Sequence, residues 1–326
     1  MLPATARLRA FSRRHFAFCL EQARPFSSLS FVFASLSLSH PWGVSLGASR
    51  AGPCLRPPSP PPSLALPAVA AVHDGYVLHK SVIRSPLAGK LLTRCMLQAV
   101  EARGAEVAPR YSFRRAEAAP GVFKVERLDV PTTAASFRAY HVEAVAQDIK
   151  QAICRVSDAA FDPGENASIP TASYELPDGQ EIQVGAARFA VPAVLFNPPL
   201  LAEFGAAGAG VAGPAGEPLQ GLQAAVAECI GRCDVDARRE LYGGVVLTGG
   251  TALFASLRDR LERELADAAP AMAKVKVVCP ANAVERRYSA WIGGSILASL
   301  GTFQQMWMSK AEYQEHGAGL IHKKAT

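Results

Sequence analysis

Val245-Val-Leu-Thr-Gly249-Gly250-Thr251 is the stretch on which the fold turns. Its first four residues have the apolar, β-branched character of a buried strand. The double glycine then marks a turn, and a helical run with Leu253, Leu257, Leu261 and Leu265 on one face follows it directly. Backbone N–H groups at such a helix start are open to a polar ligand, and glycine lets that ligand come close to the main chain. Strand–Gly-Gly–helix also serves plain α/β packing, so its neighbours decide the reading. On the outer face of the helix, Arg258–Glu262 and Arg260–Glu264 read as solvated i,i+4 pairs. Lys274–Val278 alternates as the next strand.

The flanking chain supplies further α/β elements. Asp74-Gly75 sits between extended runs, Val69–His73 and Tyr76–Val82, as the type I′ turn of a hairpin. Helices are predicted over about 87–103, closed by Gly104, and over about 137–156, where Val142, Val145, Ile149 and Ile153 form a stripe beside Lys150 and Gln151. Pro177-Asp178-Gly179 reads as a second hairpin turn. Leu219, Leu222, Val226, Cys229, Ile230 and Cys233 trace one helix face. Helices return over 289–300 and after Ser309, which forms a capping box with Glu312.

Length and charge bound the function. A chain of 326 residues, 49% hydrophobic and 19% charged, buries a large core and usually forms two domains. The net charge of +6 comes from residues 1–66, which hold seven arginines and one acid, Glu21. Residues 67–326 carry 27 basic and 27 acidic side chains, so the basic pI gives no reason to expect a direct, sequence-specific DNA-binding face. Seven dispersed cysteines without a C-x-x-C pair suit a reducing compartment. Cys229 and Cys233, four apart, either share a ligand or lie on a buried helix face. No metal-ligand spacing occurs and no run of eighteen apolar residues, so neither a metal site nor a membrane span is expected.

Residues 1–66 differ from the rest. Their Arg- and Ser-rich, acid-poor start has transit-peptide chemistry, and a secretory signal is the weaker alternative. The tract Pro57–Pro62 cannot join a packed core. The expectation is an extension unrelated to the fold, either disordered or an artefact of the gene model.

From Val72 onward the sequence resembles the actin superfamily. The resemblance rests on Asp74-Gly-Tyr-Val-Leu78, Ser85-Pro-Leu-Ala-Gly89, Tyr174-Glu-Leu-Pro-Asp-Gly-Gln180, Cys233-Asp-Val-Asp236, Leu247-Thr-Gly-Gly-Thr251, Trp291-Ile-Gly-Gly-Ser-Ile-Leu-Ala-Ser-Leu300 and Thr302-Phe-Gln-Gln-Met-Trp307. Val72-His73, Arg155-Val-Ser-Asp158, Val284-Glu-Arg-Arg287 and Gly301 make it more similar to the nuclear actin-related protein 4 class, also called actin-like protein 6, than to filament actin.

The resemblance implies a partial actin-like α/β fold of the ribonuclease H-like/actin ATPase type. A larger inner subdomain would span about 67–88 and 190–287, a smaller one about 89–189, and the C-terminal helices of an outer subdomain 288–326. It also implies an adenine-nucleotide cleft. Gly249, Gly250, Thr251, Leu253 and Phe254 would form its adenosine side, and Lys150 would contact adenine. Gln151 stands where the family holds the ribose with an acid; Gly89 would pass close to the sugar, and Arg287 would stack near the base.

The family grips phosphates and Mg²⁺ through two Asp/Gly loops. Ser45-Leu-Gly-Ala-Ser49 faintly resembles one of them, with serine in the aspartate's place. ATP or ADP with Mg²⁺ is therefore expected to bind weakly or not at all, and hydrolysis is not expected.

The resemblance further implies a non-catalytic nuclear subunit of a chromatin-remodelling or histone-acetyltransferase complex, acting in transcription regulation. Its partners would be actin, a helicase-SANT-associated helix of the remodeller ATPase and other subunits, with no membrane contact. The alternatives are a filament-forming ATPase and a truncated product. About half of Trp291, Ile292, Ile296, Leu297, Phe303, Met306 and Trp307 are expected to be buried, with Phe303 and Met306 at a partner-facing edge. A truncated fold would leave this group partly uncovered.

Overall fold

The computed structural model describes residues 30–36, 68–119, 122–162, 164, 169–207, 211, 218–271 and 273–324. Strand β1 (Ser30–Leu36) leads into β2 (Ala68–His73), β3 (Tyr76–Val77) and β4 (Ile83–Arg84). Helix α1 (Gly89–Glu101) precedes the hairpin of β5 (Phe113–Ala119) and β6 (Val122–Arg127) and then α2 (Ala135–Ile153). The hairpin of β7 (Ala172–Glu175) and β8 (Glu181–Val184) is followed by α3 (Ala187–Ala193), α4 (Leu222–Gly231) and α5 (Val235–Gly243). Strand β9 (Val245–Gly249), α6 (Leu257–Ala268) and β10 (Val277–Val278) come next, and α7 (Ala283–Ala298), α8 (Lys310–His316) and α9 (Ile321–Lys324) end the chain.

The main sheet runs β10-β9-β1-β2-β3, with β4 also paired to β2. Strand β9 is parallel to both β10 and β1, while β1 and β2 are antiparallel, with Ser30 opposite His73 and Ser35 opposite Ala68. This corrects the expectation that residues 1–66 lie outside the fold: Ser30–Leu36 is a central strand. Its Ser-Phe-Val-Phe core has strand propensity, which a reading by composition overlooked. The Arg-rich start, Ser45–Ser49 and the proline tract lie outside the described residues.

Turn chemistry sets the hairpins as expected. Asp74 and Gly75 have φ of 49° and 84°, the left-handed pair of a type I′ turn, and Val72 pairs with Val77 across it. The second strand stops at Val77 instead of reaching Val82, because His79–Ser81 forms a 3₁₀ turn. In the β7–β8 hairpin, Gly179 has φ of 88° and donates its N–H to Leu176 O at 2.8 Å. Helix α1 begins at Gly89 and ends before Gly104, whose φ is 81°. Ser309 caps α8: Glu312 N donates to its hydroxyl at 3.2 Å, and its own N–H donates to Glu312 Oε2 at 2.7 Å.

One apolar core runs from the sheet residues Val69, Val245 and Leu247 through Leu92 and Met96 of α1 and Ile149 of α2 to Leu257, Leu261 and Leu265 of α6. Two details of the opening stretch differ from expectation. The glycines lead into a 3₁₀ turn, Thr251–Leu253, and α6 starts only at Leu257, so Leu253 is not on its inner stripe. Arg260 is buried, bonding Glu264 on its own helix, donating to Ser157 O at 3.2 Å and lying 5.3 Å from the centre of the Phe196 ring. Arg258 pairs with Asp259, not Glu262. Period alone could not separate an arginine on the solvated face from one drawn in by a carbonyl and an aromatic face.

Ser256, just ahead of α6, holds φ of 65°. Left-handed backbone at a residue with a Cβ costs about 1 kcal/mol, and more when that carbon is branched. Ser256→Gly is expected to leave the unfolding midpoint in urea unchanged or raised, and Ser256→Val to lower stability by about 2 kcal/mol.

Candidate functional site

The first turns of α1, the last two turns of α2 and the 250–255 segment enclose a cleft of about 360 Å³, the lower range of small-molecule sites. The local folding explains how they meet. Cys154 and Arg155 leave α2 in extended backbone, and Arg155 forms a parallel bridge to Ala255. Val156 N donates to Ala255 O at 3.1 Å, so the segment after the double glycine is pinned beneath the end of α2. Gly249 ends β9 with φ of 96°, a left-handed value that favours glycine.

Of the nine residues expected at a nucleotide cleft, Gly89, Lys150, Gln151, Gly250, Thr251, Leu253 and Phe254 line this one. Phe254 and Thr251 are buried, Leu253 is half-buried, and Gln151 is exposed at the rim. Gly249 and Arg287 are not in the lining; Gly249 only sets the turn. Arg287 lies close enough for its charge to act on Lys150, and its guanidinium is 5.9 Å from the centre of the Tyr288 ring. Arg287 Nε is buried without a hydrogen-bond partner, which leaves a donor beside the cleft unsatisfied.

Lys150 is placed differently from the expected base contact. Its ammonium is buried and donates to Gly89 O at 2.7 Å and Thr93 Oγ1 at 2.8 Å, while the Thr93 hydroxyl donates to Gly89 O at 2.8 Å. Two of its three donors thus clamp α2 to the start of α1, leaving one. Burial, helped by the charge of Arg287, pulls its pKa from the usual 10.5 down to about 8. Burial also pushes the cleft-lining Cys154 up to about 12, so this thiol stays protonated.

Lys90, Thr93, Gln147 and Cys154 line the cleft as well and were not singled out in the sequence. The signal was present: Gln147, Lys150, Gln151 and Cys154 recur at i, i+3, i+4 and i+7, a second stripe beside the apolar one. With two lysines, no carboxylate in the lining, and an α1 N-terminus that has no side-chain cap, the cleft suits an electron-rich ligand. Leu253 and Phe254 offer apolar surface for a flat ring. The residues present fit the adenosine half of a nucleotide. Among the described residues no group of three or more His, Cys, Asp or Glu is arranged to hold a metal ion. Cys229 and Cys233 are buried, the Cys233 thiol donating to Cys229 O at 3.3 Å, and burial pushes Cys229 up to about 11. They pack rather than ligate.

The C-terminal segment departs furthest from expectation. None of Trp291, Ile292, Ile296, Leu297, Phe303, Met306 and Trp307 is buried, where about half were expected to be. Phe303 and Met306 are half-buried, and the most open positions are Trp291 (79% exposed) and Trp307 (61%).

The actin family model matches residues 65–326. The chain is 51% identical over 257 residues to Actin-related protein 4 of Oryza sativa subsp. indica, and 48% identical over 256 residues to that of Arabidopsis thaliana. It is 36% identical over 288 residues to the Actin-related protein 4 of Mycosarcoma maydis. These matches take in 78%, 78% and 77% of the chain but only 57%, 58% and 53% of the relatives, so the chain spans little more than half their length. The chain belongs to the actin family.

Lys150 provides a test of the clamp. With its folded pKa below its unfolded one, the buried charge costs stability in full below pH 8, and the cost is relieved as pH rises from about 8 to 10.5. Lys150→Met is expected to be as stable as the parent or up to about 3 kcal/mol more stable at pH 7. That advantage should shrink toward pH 10 in urea titrations at stepped pH.

Proposed function

We propose that this member of the actin family is a non-catalytic actin-related subunit of a nuclear chromatin-remodelling or histone-acetyltransferase complex. In this reading it serves transcription regulation from the nucleus, standing beside actin on a long helix of the remodeller ATPase. The similarity to relatives named Actin-related protein 4 in two plants and a fungus is the observation that carries it. The cleft supports a structural use of nucleotide. Its residues offer donors and apolar surface to adenosine, and its lining has no carboxylate to bring Mg²⁺ against a phosphate or to orient a water. Were ATP or ADP held there, Gly250, Leu253, Phe254 and Gln151 would meet its adenosine, and binding would stabilise the fold by mass action.

The test is a pair of measurements on the purified full chain. ATP hydrolysis is expected to stay at the background of a no-protein control, and the tagged chain is expected to co-purify from nuclear extract with a remodeller ATPase and actin. Turnover above background, or sedimenting filaments in place of that association, would sink the reading.

A further inference from the structure

The hydrogen bonds that make Lys150 a clamp also determine how its amine can react. The Thr93 hydroxyl gives its proton to Gly89 O at 2.8 Å, so toward Lys150 Nζ it can only accept. Gly89 O accepts from Nζ as well, at 2.7 Å. When Nζ is neutral, both of its protons are therefore held by α1. The lone pair is left at the one tetrahedral position that carries no bond to the described residues, on a side chain that lines the cleft. Lysine becomes nucleophilic near neutral pH when it is desolvated or set beside another cation, and Lys150 has both, from burial and from Arg287. At pH 7 a pKa of about 8 leaves on the order of a few hundred times more free amine than 10.5 does. The groups around it do not oppose an anion. Burial pushes Cys95 of α1 and Cys154 up to about 12, so both thiols stay protonated. Arg188 of α3 acts on Cys154 with the same sign of charge as Arg287 has, Lys90 shares the lining, and no carboxylate does. Arg287 Nε is buried and lacks an acceptor.

We propose that Lys150 Nζ takes up carbon dioxide as a carbamate, which turns the buried cation of the cleft into an anion within the field of Arg287. The Nζ lone pair attacks the carbon, and a C–N bond forms as one C=O π bond opens onto oxygen. One Nζ proton leaves to water, so the product is an N–H beside a carboxylate. The lost proton is the one the fold can spare. Gly89 O keeps its bond from Thr93, while the remaining N–H stays on Thr93 Oγ1. Two observations select carbon dioxide over larger carbonyl compounds. It is small enough to reach the amine of a residue only 6% exposed. Its product also carries the negative charge that a lining with two lysines and no carboxylate is suited to hold, and offers the acceptor that Arg287 Nε lacks. The inference rests on neither the chromatin nor the nucleotide reading, since it concerns only the chain's own amine.

In the experiment the purified full chain is equilibrated with bicarbonate at pH 8, any carbamate is trapped as its ester with a trialkyloxonium salt, and the adduct is located by peptide mass spectrometry. Lys90, half-buried in the same lining, is the internal reference. The expected result is about tenfold or more adduct at Lys150 than at Lys90. The Lys150 adduct should fall as pH is lowered from 8 to 6 at constant dissolved carbon dioxide, because only the free amine reacts and a proton is released. Its preference should vanish when the chain is first unfolded in guanidinium chloride. Arg287→Gln should lower the Lys150 adduct about fivefold or more and leave Lys90 unchanged, since it removes the charge that favours both the free amine and the anion. Three outcomes overturn the inference: no more adduct at Lys150 than at Lys90, a preference that persists in the unfolded chain, or the same occupancy in Arg287→Gln as in the parent. The first two are read on the parent itself and need no variant.

Discussion

The ammonium of Lys150 is the fixed point of the cleft. It sits at the end of α2, buried, and gives two of its protons to the opening turn of α1. The carbonyl of Gly89, the first residue of α1, accepts from both the lysine ammonium and the Thr93 hydroxyl. That arrangement fixes the distance between the two helices, and the Arg155–Ala255 bridge fixes the third wall against them. A cation used in this way is expensive, since burial lowers its pKa to about 8. The expense is intelligible if the cleft must stay open and electron-poor. Lys90, the uncapped α1 terminus and the unpaired Arg287 Nε share that sense.

Much of this was legible in the residues because short-range chemistry dictates it. Asp74-Gly75 and Pro177-Asp178-Gly179 specify turns that few other residues can make, and both appear where the dipeptides lie. The capping box at Ser309 is equally local. Most of the cleft could be carried over because the family resemblance aligns glycines and helix faces, which the backbone then brings together. What was not legible depends on pairing at a distance. Ser30–Leu36 finds its place only through β2 and β9, some 30 and 210 residues later, and a Phe/Ser-rich run carries no mark of that. Arg260 looks like a surface charge until Ser157 O and the Phe196 ring arrive from other elements.

Lys150 and Arg287 show the limit of transferring roles between relatives. Both positions were read as ligand contacts. The geometry instead spends most of the lysine on holding helices together and places the arginine behind the lining, against Tyr288. A positive cleft does not need either group to touch a ligand directly, because in a site of low dielectric the field of a cation a few ångströms back still acts. The neutral residues Gly250, Leu253, Phe254 and Gln151 line the cleft beside Lys90 and Lys150.

The same division between local and distant effects governs the two halves of the molecule. The cleft half has a core continuous from Val69 to Leu265, and neighbours within the chain take two of the three donors of its buried cation. The C-terminal segment has a capped start at Asn282 and a capped successor at Ser309, but Tyr288 interrupts the helical backbone of α7 and most of its side chains from Ala290 onward are exposed. Local propensity is enough to make the helix but does not bury it, because burial requires a second surface. No residue from Ala290 to Leu300 belongs to the core that the described residues form. The cleft is therefore held by a core continuous from Val69 to Val277, to which the exposed segment Ala290–Leu300 contributes no buried residue.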